Sequence, residues 1–175
     1  MLRSLSFTLA FFFFQQLNSE NNIAIRDLFY RASKSPASAD SLFEKYKNSG
    51  DKDAFNLAYK AMSQLMICFH SYNPYTKLKY FIRGKETLEA AIKADPKNIE
   101  FRFLRLCTQL NTPSFLGYSS NIEEDKLAIF NGVKTARDQD LLVRISNYTT
   151  TAKRLTAEEK FKVRQALNNN KYFFI

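Results

Sequence analysis

From residue 22 onward, apolar side chains recur at helical spacing with few interruptions. Over 22–33, Ile25, Leu28, Phe29 and Ala32 share one side, which predicts a first helix. Pro36 breaks the pattern, and Ser41 followed by Glu44 predicts a capping box that opens a short helix running to Lys47. Gly50 suits a left-handed terminus after it. The clearest stripe lies over 52–71: Phe55, Ala58, Tyr59, Met62, Leu65, Met66 and Phe69 follow the spacing of a core-facing helix. Pro74 interrupts, because it disfavours helix at Asn73.

The pattern resumes over 75–94 with Leu78, Phe81, Ile82, Leu88, Ala91 and Ile92 inward. Gly84 falls in the middle of that helix, where glycine costs about 1 kcal/mol relative to alanine. Close approach of a neighbouring helix would account for it. Residues 98–110 place Ile99, Phe103, Leu106, Cys107 and Leu110 on one face, and 122–137 place Leu127, Phe130 and Val133 inward. The β-branched stretch 139–150 has no other strand to pair with and reads as helix. Thr156 and Glu159 form a capping box for a last helix to Asn168, and the closing Lys-Tyr-Phe-Phe-Ile is expected to dock on the body.

The chain is therefore expected to be all-α. Gly and Pro number only four each, which argues against the many tight turns of a sandwich or barrel. Short connections make neighbouring helices antiparallel, and pairs set side by side give a solenoid-like array. The stretch "FIRGKETLEAAIKADPKN", residues 81–98, resembles the second helix and exit of a tetratricopeptide repeat. Gly84 falls on that repeat's small position, Leu88 and Ala91 on its later apolar positions, and Pro96 on its closing proline. The repeat's Trp-Leu-Gly-x-x-Tyr run is missing, and no period of about 34 residues appears elsewhere. The resemblance implies a short stack of antiparallel helix pairs and transfers no ligand-binding residue. Residues 100–126 are similar to a segment of exported proteins of Gram-negative bacteria, which implies a compartment and no activity.

The first residues are organised differently. Arg3 is followed by the uncharged run "SLSFTLAFFFF" and then by polar Gln15 to Ser19, the layout of a secretory signal peptide. The run is about half the ~20 residues a membrane-spanning helix needs. Residues 1–19 are expected to be a cleaved leader and 20–175 a single helical domain. The protein would then be exported, to the periplasm or the cell surface.

The net charge is +9; losing residues 1–19 removes only Arg3 and leaves +8. Such a balance attracts nucleic acid, anionic lipid or acidic polymers. Export disfavours nucleic acid and keeps an anionic envelope component open; a charge that serves solubility alone is the blander account.

Chemistry is sparse. His70 is the only histidine, and Cys68 lies two residues before it, a spacing that does not face it on a helix. Cys68 and Cys107 both sit on apolar stretches, as small buried hydrophobes do; pairing them would need Cα atoms within about 7 Å. No zinc spacing, phosphate-cradling glycine motif or nucleophile–base set occurs, so no catalytic, cofactor or metal residue is assigned and the chain is not expected to be an enzyme. The acidic run Glu123-Glu124-Asp125 suits the first turn of a helix. The basic C-terminal residues, Lys153, Arg154, Lys160, Lys162, Arg164 and Lys171, read as a solvated face.

One connection stands out. "NTPSFLGYSSN", residues 111–121, joins two helices yet carries Phe115, Leu116 and Tyr118. These three either plug a space between helices or form an exposed patch that binds a partner. The expected function is a non-catalytic scaffold that holds another protein, without a small-molecule cofactor. A basic protein bound to an anionic polymer or envelope surface is the alternative.

Overall fold

The computed structural model describes residues 20–50 and 53–173, so the leader-like segment 1–19 and the final Phe174 and Ile175 lie outside the described residues. The described residues form eight α-helices and no strand. Helix α1 covers 20–32, α2 Pro36–Tyr46, α3 Ala54–His70 and α4 Pro74–Ala94. Helix α5 is Ile99–Asn111, α6 Ile122–Gly132, α7 Gln139–Thr151 and α8 Ala157–Asn168. A 3-10 turn, Ser114–Leu116, stands between α5 and α6.

Helix starts follow local chemistry, in part differently from the expectation. Helix α2 opens five residues earlier than expected, with Pro36 in its first turn, where its missing N–H costs nothing. Ser41 is therefore interior, and its hydroxyl donates back to the Ala37 carbonyl instead of capping. Gly50 has no positive φ. The Asp53 carboxylate accepts from the Phe55 and Asn56 amides at the start of α3, and the Asn73 side chain accepts from Thr76 at the start of α4. Asn98 and Asp138 cap α5 and α7 in the same manner. The capping box at α8 is present as expected: Glu159 N donates to the Thr156 hydroxyl and Thr156 N to the Glu159 carboxylate. Helix α6 stops at Gly132, five residues short of the expected end.

The chain divides into two compact units. One holds the described residues up to Gly50 together with Tyr59–Glu86. Its core includes Ile25, Ala32, Leu42, Tyr46, Tyr59, Met62 and Phe81. Phe29 meets Tyr59 edge-on and Phe43 meets Tyr80 likewise. Gly84 is where α3 and α4 approach most tightly. A Cβ there would lie 2.7 Å from Leu65 Cγ and 3.2 Å from the Ala61 carbonyl, which is the close approach its mid-helix position suggests. The expected stripes fail on both sides of the turn that joins α3 to α4: Phe69 is 63% exposed, and Leu78 and Ile82 face solvent as well.

The second unit holds residues 53–58 and the described residues from Thr87 onward. Its core joins Phe103, Leu106 and Leu110 of α5 to Ile129 and Val133, to Leu141, Leu142 and Ile145 of α7, and to Ala166 and Leu167 of α8. Phe173 packs against this core, in line with the expected docking of the C-terminus. Helix α5 is buried on nearly every side, including Phe101, Leu104, Arg105 and Gln109, which a one-face pattern leaves outside. Contacts between α5 and α6 run in opposite order along the chain. Ile99 meets Gly132, Arg105 meets Asp125 and Gln109 meets Asn121, so the two helices are antiparallel. Leu127 is exposed, because Asp125 and Ile129 are the α6 residues that turn inward.

Candidate functional site

The loop between α5 and α6 is built from its ends inward. The Thr112 hydroxyl donates to the Thr108 carbonyl, and the Arg154 guanidinium donates to the Thr112 carbonyl at 3.2 Å. Pro113 then leads into the 3-10 turn, closed by Leu116 N to the Pro113 carbonyl and Gly117 N to the Ser114 carbonyl. Gly117 has φ 63 and ψ 26, the left-handed conformation that side chains other than glycine adopt at a cost. Space is not the constraint there, since a Cβ on Gly117 would meet nothing within 4 Å. That reversal separates the aromatics. Phe115 is left 84% exposed, Leu116 is half-buried and Tyr118 is 5% exposed. The side chains of this loop divide: Tyr118 turns inward and Phe115 does not.

Beneath the loop, Tyr118 enters a charged network. Its hydroxyl donates to Glu89 Oε1 at 2.8 Å, and Glu89 Oε2 accepts from Arg105 Nη1 at 2.7 Å. Arg105 also grips Asp125 with two parallel bonds, Nε to Oδ2 and Nη2 to Oδ1, each 2.7 Å. Arg102 adds bonds to Glu124, to Asp125 and to the Pro96 carbonyl. Asp125 is fully buried and Arg105 nearly so. The fork geometry matches two donors to two acceptors, the arrangement in which a buried ion pair holds best.

The electrostatics follow from that burial. Burial by itself would lower the Arg105 pKa, but the hydrogen bond and charge of Asp125, then of Glu89, outweigh it and hold the guanidinium above its ordinary value. Burial, followed by the Glu89 hydrogen bond, pushes the Tyr118 phenol above its ordinary value, so it stays a neutral donor. The Asn121 and Arg102 hydrogen bonds lower the Glu124 carboxyl.

The acidic run at the head of α6 thus does more than meet the helix dipole: Asp125 carries a buried pair that sequence spacing does not reveal. A signal is available. Arg105 lies between Leu104 and Leu106 on α5, and an arginine buried there requires an acid.

Other candidate residues are accounted for separately. His70 Nε2 lies 2.7 Å from the Ala32 carbonyl, which can only accept, so that nitrogen donates and ties α3 to α1. Cys68 and Cys107 are free thiols, and burial raises both pKa values, which leaves them poor nucleophiles. Of the basic C-terminal residues, Lys160 donates to the Thr150 carbonyl, Lys162 pairs with Glu158 and Lys171 lies over Tyr172. No group of three or more His, Cys, Asp or Glu side chains suited to a metal occurs among the described residues. No protein-family model, curated protein or solved structure matches the chain.

Proposed function

We propose that this chain is a non-catalytic helical scaffold that holds another protein, with Phe115 as the anchor. The observation that carries the reading is a mostly exposed aromatic ring on a loop fixed from below by Tyr118, Glu89, Arg105 and Asp125. A turn whose backbone is already ordered loses little freedom on binding, so more of the ring's burial energy becomes affinity. Aromatic anchors of this kind dominate many protein interfaces. The half-buried Leu116 lines the same turn.

The scaffold is proposed to be a short array of antiparallel helix pairs related in layout to tetratricopeptide stacks, as the segment 81–98 suggests. It is proposed to act after export, in the periplasm or at the cell surface, with residues 1–19 removed. No helix among the described residues is long and apolar enough to cross a membrane. No cofactor enters the proposal.

The test is capture of a partner from envelope fractions by the tagged protein, beside its Phe115→Ala variant. Truncating an interface anchor weakens binding by about 2 kcal/mol or more, roughly thirtyfold. A partner lost from the variant, with the melting temperature unchanged, supports the reading. Equal capture by both proteins contradicts it. The net charge of +9 favours a second reading, binding to an anionic polymer. Such binding would fall steeply between low and moderate salt, whereas an aromatic anchor would be nearly indifferent to it.

A further inference from the structure

The first half of α4 presents an unusual surface. Tyr75, Leu78 and Ile82 stand at i, i+3 and i+7 and therefore share one face. All three are exposed, at 76%, 52% and 42%. Tyr72, in the turn just before the helix, is 99% exposed. The opposite side of the helix is occupied: Phe81 is buried, Tyr80 packs against Phe43, and Gly84 meets Leu65. The apolar stripe is thus a second face, separate from the one that builds the core.

Its charge is one-sided. From Ala54 to Lys85 the chain contains no Asp or Glu, and the charged residues of that stretch are Lys60, Lys77, Lys79, Arg83 and Lys85. Lys79, four residues after Tyr75, and Arg83, one turn further on, are exposed along the flank of this face. Glu86, the next acid, comes one turn after Ile82 and marks the end of the face. Two exposed tyrosines, two exposed aliphatic side chains and, ahead of Glu86, only cationic neighbours match the interface of an anionic bilayer. There tyrosine rings rest at headgroup level, aliphatic groups reach the acyl boundary and lysines meet the phosphates. A single helix face is a ridge. A protein partner would have to supply a matching acidic groove, whereas lipid headgroups rearrange around a ridge.

The geometry points to a peripheral membrane-docking face formed by Tyr72, Tyr75, Leu78 and Ile82 with Lys79 and Arg83, which rests on an anionic lipid surface. This surface lies in the unit that does not contain Phe115, so it adds to the protein-binding role without depending on it.

Flotation of the full chain with phosphatidylglycerol–phosphatidylcholine vesicles, against pure phosphatidylcholine vesicles, tests it. Residues 1–19 add Arg3 and an apolar run that wild type and variants share, so the change in preference between wild type and variants isolates the cationic face. The wild type is expected to prefer the anionic vesicles and to lose that preference as salt rises. Lys79→Gln with Arg83→Gln is expected to reduce the preference by about fivefold per cation. Tyr75→Ser with Leu78→Ser is expected to weaken anionic-vesicle binding at every salt concentration. Thermal melts confirm folding, and these side chains are exposed enough to be changed without disturbing the core. Equal binding to both vesicle types overturns the proposal, as does a preference that both folded variants retain. Binding to soluble poly-glutamate with anionic vesicles ignored overturns it in favour of an acidic macromolecule.

Discussion

Helix α5 and the first half of α4 break the ordinary inside–outside rule in opposite directions. Helix α5 carries Arg105 and Gln109 into the interior of its unit, while α4 leaves Tyr75, Leu78 and Ile82 in solvent. A buried charge costs free energy unless it is paired, and Arg105 is paired on both sides. An exposed apolar stripe costs little by itself but forgoes burial that would stabilise the fold. The first departure specifies structure, since it fixes where α6 and the Phe115 loop sit against α5. The second contributes nothing visible to the fold and is the one that calls for a function.

The comparison breaks most readily at Asp125. Asp125→Ala removes the two-bond partner of Arg105, leaves Glu89 as its main counter-charge and should cost about 3 kcal/mol, read as a large drop in melting temperature or in the denaturant midpoint. A loss under about 1 kcal/mol would mean the pair is far wetter than its burial indicates. Gly84→Ala comes next. It forces a methyl group against Leu65 and the Ala61 carbonyl and should cost about 1–3 kcal/mol despite the better helix propensity of alanine. Stabilisation by this change would deny the close approach of α3 and α4.

Tyr118→Phe removes one hydrogen bond to Glu89 and should cost about 1 kcal/mol near neutral pH. The same variant has a pH signature. Because the folded phenol titrates above its ordinary value of 10.0, its contribution is complete below pH 10 and fades as the pH rises beyond it. The variant should therefore show a flatter alkaline decline than the wild type in melts across that range.

The pair Lys126–Glu159 gives a smaller effect with two edges. Against burial that would raise it, the Lys126 hydrogen bond lowers Glu159; against burial that would lower it, Glu123 and Glu159 raise Lys126. The pair contributes between the ordinary values of 4.5 and 10.5. That contribution is lost as the pH falls through the lowered Glu159 value or rises through the raised Lys126 value. Both side chains are partly exposed, so Lys126→Ala should cost under about 1 kcal/mol at neutral pH. Smallest of all, Leu78→Ser should leave stability within about 0.5 kcal/mol, since the residue is more than half exposed.

Much of the fold is legible in the sequence because it depends on local chemistry. Proline and asparagine mark the start of α4, the Thr156–Glu159 box marks that of α8, and Gly84 announces a close helix contact. The β-branched 139–150 stretch forms α7, as the lack of any strand to pair with it suggests. The failures are tertiary. Periodicity identifies an apolar face but not whether another element covers it, so Leu78, Ile82, Phe69 and Leu127 read as inward and stand outside. Nor does it mark a helix buried on all sides, which is why the role of Arg105 is invisible to it. The acid that pairs with Arg105, Asp125, lies twenty residues downstream, beyond the reach of any i, i+4 rule. At the candidate site, the chain shows an apolar loop, while only Gly117's left-handed turn decides that Phe115 faces out and Tyr118 in.

That division of the tyrosines underlies both functional proposals, and nitration mapped residue by residue tests it most directly. The reagent attacks solvent-accessible phenol rings, so Tyr72 and Tyr75 should be modified first, and Tyr118 and Tyr59 only when the protein unfolds. Labelling of Tyr118 as fast as Tyr72 in the native protein would contradict the account, because the loop would then have no buried anchor beneath Phe115.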